Sequence, residues 1–281
     1  MKILRVFPRR TSFTPTDAMT IINEPPSLFV PEHDEIHISC VFTWDKPRTE
    51  WLKYQWEAVT DKPVKLGGPA YDSPCEDFTP GLYVRHGVVF TSRGCNNNCP
   101  WCLVPQREGK LKELPICAGN IIQDNNFLQC SKAHKNMVFE MLKTQKKISF
   151  RGGLDSRLID DHFVEAVRRL RIDSLYLACD SAAAFAPLRT AIRKLQSAGF
   201  TREKLYVYVL VGQDMEREEA LLTEIYRLGA KSFAQLYRGA NGKPEYDTNW
   251  KRFQRQWSRP AATRAHCERG TNYSERRRFN V

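Results

Sequence analysis

Apolar residues follow one rhythm up to about residue 85 and another beyond Gly87. In the first stretch, short runs at 3–7 (ILRVF), 36–42 (IHISCVF) and 64–68 (VKLGG) read as strands. Ser12–Pro15 and Glu24–Pro26 read as loops between them, and Trp51–Thr60 reads as a short helix. The expectation is a small α/β region over residues 1–85.

After Gly87, strand-like and helix-like segments alternate. The strands fall at 88–92, 120–124, 147–153, 174–180, 204–212 and 231–237. Between them lie amphipathic stretches. The first starts at Ser131 and carries Val138, Met141 and Leu142; the next carries Phe163, Val164, Val167 and Leu170. Leu188, Ile192 and Leu195 come before Gly199, and Leu221, Leu222, Ile225 and Leu228 before Gly229. Both glycines sit where helix C-caps need a left-handed residue. Near-continuous apolar strands such as LYVYVLV imply a parallel sheet covered by helices. Six such strands fit a partial (β/α)6 barrel or an open doubly wound sheet. In either, ligands bind at the C-terminal strand ends.

From about Gly239 a turn-rich GANGKP precedes Trp250, Phe253 and Trp257, which share one helix face. Pro260 is expected to stop that helix, and the remainder reads as poorly ordered. The expected organisation is therefore 1–85, a core at 86–238 and an extension at 239–281.

Charge sharpens the view of that extension. The chain of 281 residues has a formal net charge of +11. Residues 251–281 hold nine Lys/Arg against two Glu, a net +7, so most of the basic character lies there. Such a tail suits solubility or contact with nucleic-acid phosphates. No apolar run approaches the roughly 18 residues that span a bilayer, so no membrane partner is expected. The N-terminus MKILRVFPRR lacks a signal-peptide core. A cytoplasmic location is the expectation.

Nine cysteines in a reducing compartment point to metal or catalytic chemistry more than to disulfides. Three of them, Cys95, Cys99 and Cys102, are bunched as C-x3-C-x2-C within TSRGCNNNCPWCLVPQREG, directly after the strand at 88–92. Thiolates favour iron–sulfur clusters or zinc. Three thiolates would hold three irons of a cubane and leave the fourth open. Gly94, Asn96 and Pro100 suit a tight loop around a compact cluster. The alternative is a closed zinc site with Cys117 as fourth ligand, in a basic-tailed nucleic-acid-binding protein without catalysis.

C-x3-C-x2-C with an aromatic just before the last cysteine, here Trp101, resembles the signature of the radical S-adenosylmethionine (SAM) superfamily. The resemblance covers residues 87–238 and selects the partial barrel. It implies a [4Fe–4S] cluster on Cys95, Cys99 and Cys102, with SAM bound through its amino and carboxylate groups to the open iron. It also implies an electron donor such as a flavodoxin or ferredoxin, and a 5′-deoxyadenosyl radical that abstracts hydrogen from a substrate not yet named, a nucleic-acid base being one option. At positions matching the family's cofactor contacts, Asp124 (in Asp124-Asn125-Asn126, an acidic variant) is the candidate for the SAM amine. Arg157 is the candidate for its carboxylate or ribose, Asp180 and Ser181 for the ribose, and Gly212 for adenine. Asp124 and Asp180 are equally placed to be helix N-caps, and Arg157 to be a surface ion-pair partner. Cys179, Gln235, Tyr237 and Arg238 are candidates to face the substrate.

The first region resembles a shortened form of the unit preceding the barrel in cobalamin-binding members. Their Asp-x-His-x-x-Gly motif is missing, so cobalamin is not expected. The wording GCNNNCPWCLVP also resembles methylthiotransferases, which carry three additional N-terminal cysteines; here only Cys40 and Cys75 precede the triad. Cys117 and Cys130 have little spacing logic for an auxiliary cluster.

Overall fold

The computed structural model describes residues 1–71, 78–239 and 245–268. The chain is an α/β protein of two compact units, Met1–Gly119 with Gly239–Lys243, and Asn120–Arg238 with Pro244–Val281. This division groups the cysteine loop with the N-terminal region, and the basic extension with the strand–helix series.

In the first unit, β1 (Ile3–Phe7), β2 (Thr20–Ile22), β3 (Glu35–Ser39) and β4 (Val64–Gly67) form a parallel sheet in the order β2-β1-β3-β4. Only β2 was not anticipated, because three residues are too few to show a period. Strand alternation sends Leu4, Val6, Ile36 and Ile38 to one face, where they pack with Leu52 and Trp56 of α1 (Lys46–Glu57). That helix starts five residues before the expected Trp51, because Pro47 is in its first turn, where its missing N–H costs nothing. The opposite parity carries Arg5, His37 and Lys65 in register. Arg5 there donates to the Leu82 carbonyl at 2.7 Å, His37 meets Tyr83, and Lys65 and His37 flank Glu35.

The expected strand at 88–92 is split. β5 (Val88–Val89) ends early, and β6 (Ser92–Arg93) turns to pair antiparallel with β7 (Lys112–Glu113). A short α2 (Val104–Arg107) lies within the excursion between β6 and β7.

In the second unit, β8 (Ile121–Ile122), β9 (Ile148–Asp155), β10 (Ile172–Ala178), β11 (Leu205–Val211) and β12 (Lys231–Leu236) run parallel in the order β12-β11-β10-β9-β8. The connecting helices are α3 (Lys132–Lys143), α4 (Asp161–Arg168), α5 (Phe185–Ser197) and α6 (Met215–Arg227). Ser131 caps α3 by accepting from the His134 N–H at 3.1 Å. Gly199 and Gly229 end α5 and α6 at φ +93° and +86°, as the sequence predicts. Leu188, Ile192 and Leu195 of α5 are fully buried. Each such side chain contributes roughly 1.5–3 kcal/mol by leaving water.

Helix α7 (Thr248–Ser258) buries Phe253 and Trp257. As the sequence predicts, α7 stops before Pro260, with Arg259 extended at its end; contrary to the expectation of poor order beyond it, residues 260–268 form a further helix. Proline opens a helix without strain because its fixed φ is already helical. That helix returns to α7 through a hydrogen bond from Thr263 Oγ1 to the Gln256 carbonyl (2.9 Å), and reaches α6 through His266 and Glu219 (2.9 Å). The rest of the expected tail, 269–281, lies outside the described residues, as does Cys75.

Candidate functional site

The cysteine loop is tied at its base by its own sequence. Gly94 adopts φ +76°, and a Cβ there would lie 2.7 Å from the Lys110 carbonyl carbon, so only glycine lets the two segments approach. The Cys95 N–H donates to the Gly109 carbonyl at 3.1 Å, and the Leu111 N–H to Asn96 Oδ1 at 3.1 Å. Glu108 locks the base, accepting from the Gly94 N–H at 3.1 Å and pairing with Arg93 at 2.8 Å. Cys99-Pro100-Trp101-Cys102 is a β-turn with proline at its second position, closed by Cys102 N–H to the Cys99 carbonyl at 3.0 Å. The Asn97 N–H points at Cys95 Sγ at 3.4 Å.

All three thiols are partly exposed, and the described cysteines form no disulfide. Among the described residues, no three His, Cys, Asp or Glu side chains group to hold a single metal ion. The ligands of a cubane bind separate irons and need not meet at one point. Three thiolate donors on one fastened loop therefore fit that group, which they would hold through Cys95, Cys99 and Cys102.

The remaining candidates belong to the second unit. There Asp124, Arg157, Asp180, Gly212 and Gln235 lie at or just beyond the C-terminal ends of β8 to β12. Asp124 is 2% exposed. It is no helix cap, because Asn126 precedes the next turn and Ser131 caps α3. Its backbone crosses β9 at Gly152, where a Cβ would overlap the Asp124 carbonyl and lie 2.6 Å from its carbon.

Arg157 is a doubly bonded partner of Asp155, through Nε at 2.9 Å and Nη2 at 2.6 Å. Its guanidinium is thus oriented at the β9 end while remaining largely exposed. Asp180 is no N-cap either: its Oδ1 accepts from the Leu210 N–H of β11 at 2.9 Å. Burial pushes its carboxyl up to about 6 from an ordinary 3.8, and the Leu210 N–H pulls the other way. The fold therefore prefers the neutral acid. The preference adds its full stability below the unfolded value of 3.8, and that contribution is lost as pH rises through about 6. Replacing Asp180 with Asn keeps an acceptor for Leu210 and removes the buried charge. We expect D180N to be more stable than wild type at pH 8, by about 1–3 kcal/mol. The gain should fade in acid, as urea unfolding at several pH values will show; a pH-independent change would sink this account.

Ser181 begins the turn into α5, its carbonyl accepting from the Ala184 N–H at 3.0 Å. Cys179 is fully buried and its thiol is pushed up to about 12 by desolvation. It is a small apolar group closing β10. Thiol titration of the native, metal-free protein should leave Cys179 unmodified while Cys95, Cys99 and Cys102 react; rapid labelling of Cys179 would overturn its burial. Gly212 (φ +129°) gives its N–H to Glu218 Oε2 at 2.9 Å, and a Cβ would meet the Tyr246 ring at 2.7 Å. Gln235 is exposed. Tyr237 gives its N–H to Val211 and accepts from the Tyr246 hydroxyl at 2.8 Å. Arg238 is partly buried.

Sequence reasoning missed two groups here. Glu218 gathers the Gly212, Gln213 and Asp214 amides at 2.9–3.3 Å, which sets the loop after β11. Tyr206 and Tyr208 share one face of β11 and stack on Tyr176 of β10 at 4.5 and 5.0 Å, with the Arg151 guanidinium 5.3 Å from the Tyr176 ring. Their i, i+2 spacing in LYVYVLV was the available signal, hidden because the run reads as uniformly apolar. Comparison of the sequence with protein-family models and with curated proteins gives no match in either.

Proposed function

We propose that this chain is a radical SAM enzyme: Cys95, Cys99 and Cys102 hold a [4Fe–4S] cluster, and SAM is cleaved reductively there. The observation carrying this reading is the C-x3-C-x2-C loop, fastened at its base and with an amide directed at the first sulfur. When bound and reduced, the cluster supplies the electron that cleaves the SAM sulfonium and releases the 5′-deoxyadenosyl radical that takes hydrogen from the substrate.

The chain's own part is to bind and orient. The tied loop presents three thiolates and no fourth, which leaves room for SAM as a ligand. Asp124 is the buried carboxylate offered to the SAM amine. Arg157, fixed by Asp155, offers a cation to its carboxylate. Asp180 and Ser181 offer polar atoms to the ribose, and the Gly212 segment lines the adenine side. Gln235, Tyr237 and Arg238 offer polar groups to the substrate. A partial barrel would complete this arrangement, with a flavodoxin- or ferredoxin-like electron donor as partner.

The test is electron paramagnetic resonance of anaerobically purified, reduced protein with and without SAM, together with iron and sulfide content. We expect about four irons and four sulfides per chain and a signal that SAM perturbs. One zinc, no sulfide and no response to SAM would overturn the proposal.

A further inference from the structure

We propose that the groove between α7 and the helix at 260–268 binds the phosphate backbone of a single-stranded nucleic acid; that this strand is the enzyme's substrate rests on the function proposed above. Arg252 and Arg255 of α7, Arg259 just beyond its end and His266 line this groove of about 490 Å³ together with the small side chains of Ala262 and Ala265.

None of the three arginines forms an ion pair among the described residues, and all three are exposed. Arg189 and Arg193 of α5 form no ion pair among the described residues either, but Arg193 lies in a groove that also holds Asp161 and Glu165, whereas the groove beside α7 is lined by no acidic side chain. Arg255 donates to the Lys251 carbonyl at 3.1 Å through Nε, which leaves its two terminal nitrogens to the groove. The nearby acid, Glu219 of α6, is turned to His266.

The form of the groove narrows the ligand. Three cations are spread along it, two on α7 and one at its end, which suits a repeating anion better than a single one. Guanidinium groups take phosphate oxygens in pairs, which lysine cannot do. The groove, of about 490 Å³, gives room for one phosphodiester strand. It also lies in the stretch 251–281, which holds most of the +11 charge and so favours capture of a polyanion.

The test is fluorescence anisotropy of the full chain with labelled oligouridylate across a salt series. For R252Q/R255Q/R259Q we expect at least tenfold weaker binding, and a slope of log K against log salt reduced by about 2. The charge-matched control R171Q/R189Q/R193Q should bind as wild type, and circular dichroism should show both variants folded. Equal binding by wild type and the α7 variant, or an equal loss in the control, would overturn the proposal. So would polyglutamate competing as well as the RNA, since that would make the surface a site for acidic protein. The binding assay needs neither cluster nor SAM. Iron and sulfide content of the same samples therefore tells failure of this inference from failure of the enzymatic reading.

Discussion

Alanine at Cys95, Cys99 or Cys102 is expected to reduce SAM cleavage to background, with iron and sulfide lost together. In the proposed cluster each thiolate would hold a different iron, so no neighbour would replace a missing one. All three thiols are partly exposed, so each truncation should cost less than about 1 kcal/mol of folding stability. Circular dichroism and thermal melting should therefore match wild type while 5′-deoxyadenosine production disappears. Cys117→Ala serves as the contrast. It should keep the cluster and the activity, because a cubane with an open iron has no use for a fourth cysteine. Metal loss on C117A, with zinc as the metal, would sink the cluster assignment in favour of a closed zinc site. Wild-type cleavage by any of the three triad variants would do the same.

The second large effect is structural. Gly152→Ala is expected to destabilise the second unit by about 3 kcal/mol or more, because the new methyl overlaps the Asp124 carbonyl and backbone cannot yield as a side chain can. In a chain of this size that lowers the melting temperature by at least roughly 6 °C. Gly199→Ala is the matched comparison. Its Cβ would meet nothing within 4 Å, and only φ +93° opposes it. It should cost about 1–2 kcal/mol. Equal melting temperatures for the two variants would show that Asp124 does not cross β9 so closely. The expectation also bears on function. Moving the Asp124 backbone displaces the carboxylate proposed for the SAM amine, so G152A should weaken SAM binding where G199A does not.

Much of the second unit was legible because its signals are local. Apolar runs bounded by turn residues gave β9 to β12 within about two residues, and Gly199 and Gly229 marked helix ends by the one conformation they tolerate cheaply. Ser131 announced α3 because a serine oxygen can take an orphan amide. Errors arose where a residue type serves two roles. Pro260 reads as a stop and α7 does end before it, yet proline also suits the first turn of a helix, which has no use for its N–H, so residues 260–268 are helical where poor order was expected. Ser92 reads as the end of a strand at 88–92, yet it and Arg93 pair with Glu113 and Lys112, a partner nineteen or more residues away that no local window contains.

The candidate site divides along the same line. The sequence by itself determined which residues form the candidate metal-ligating group, because C-x3-C-x2-C puts three soft donors within eight residues and chain connectivity keeps them together. It also determined that polar residues follow the parallel strands, since they interrupt apolar runs. Only the tertiary structure decided what those residues touch. Asp180 and Leu210 are thirty residues apart, and their hydrogen bond exists because β10 and β11 are neighbours. Burial, which raises the Asp180 carboxyl and silences the Cys179 thiol, is set by what packs over a residue and not by what flanks it. The groove lined by Arg252, Arg255 and Arg259 likewise depends on the chain turning before Pro260 and laying a second helix beside α7. Spacing fixes chemistry that acts within a loop; charge, burial and shape are sums over neighbours that only folding brings near.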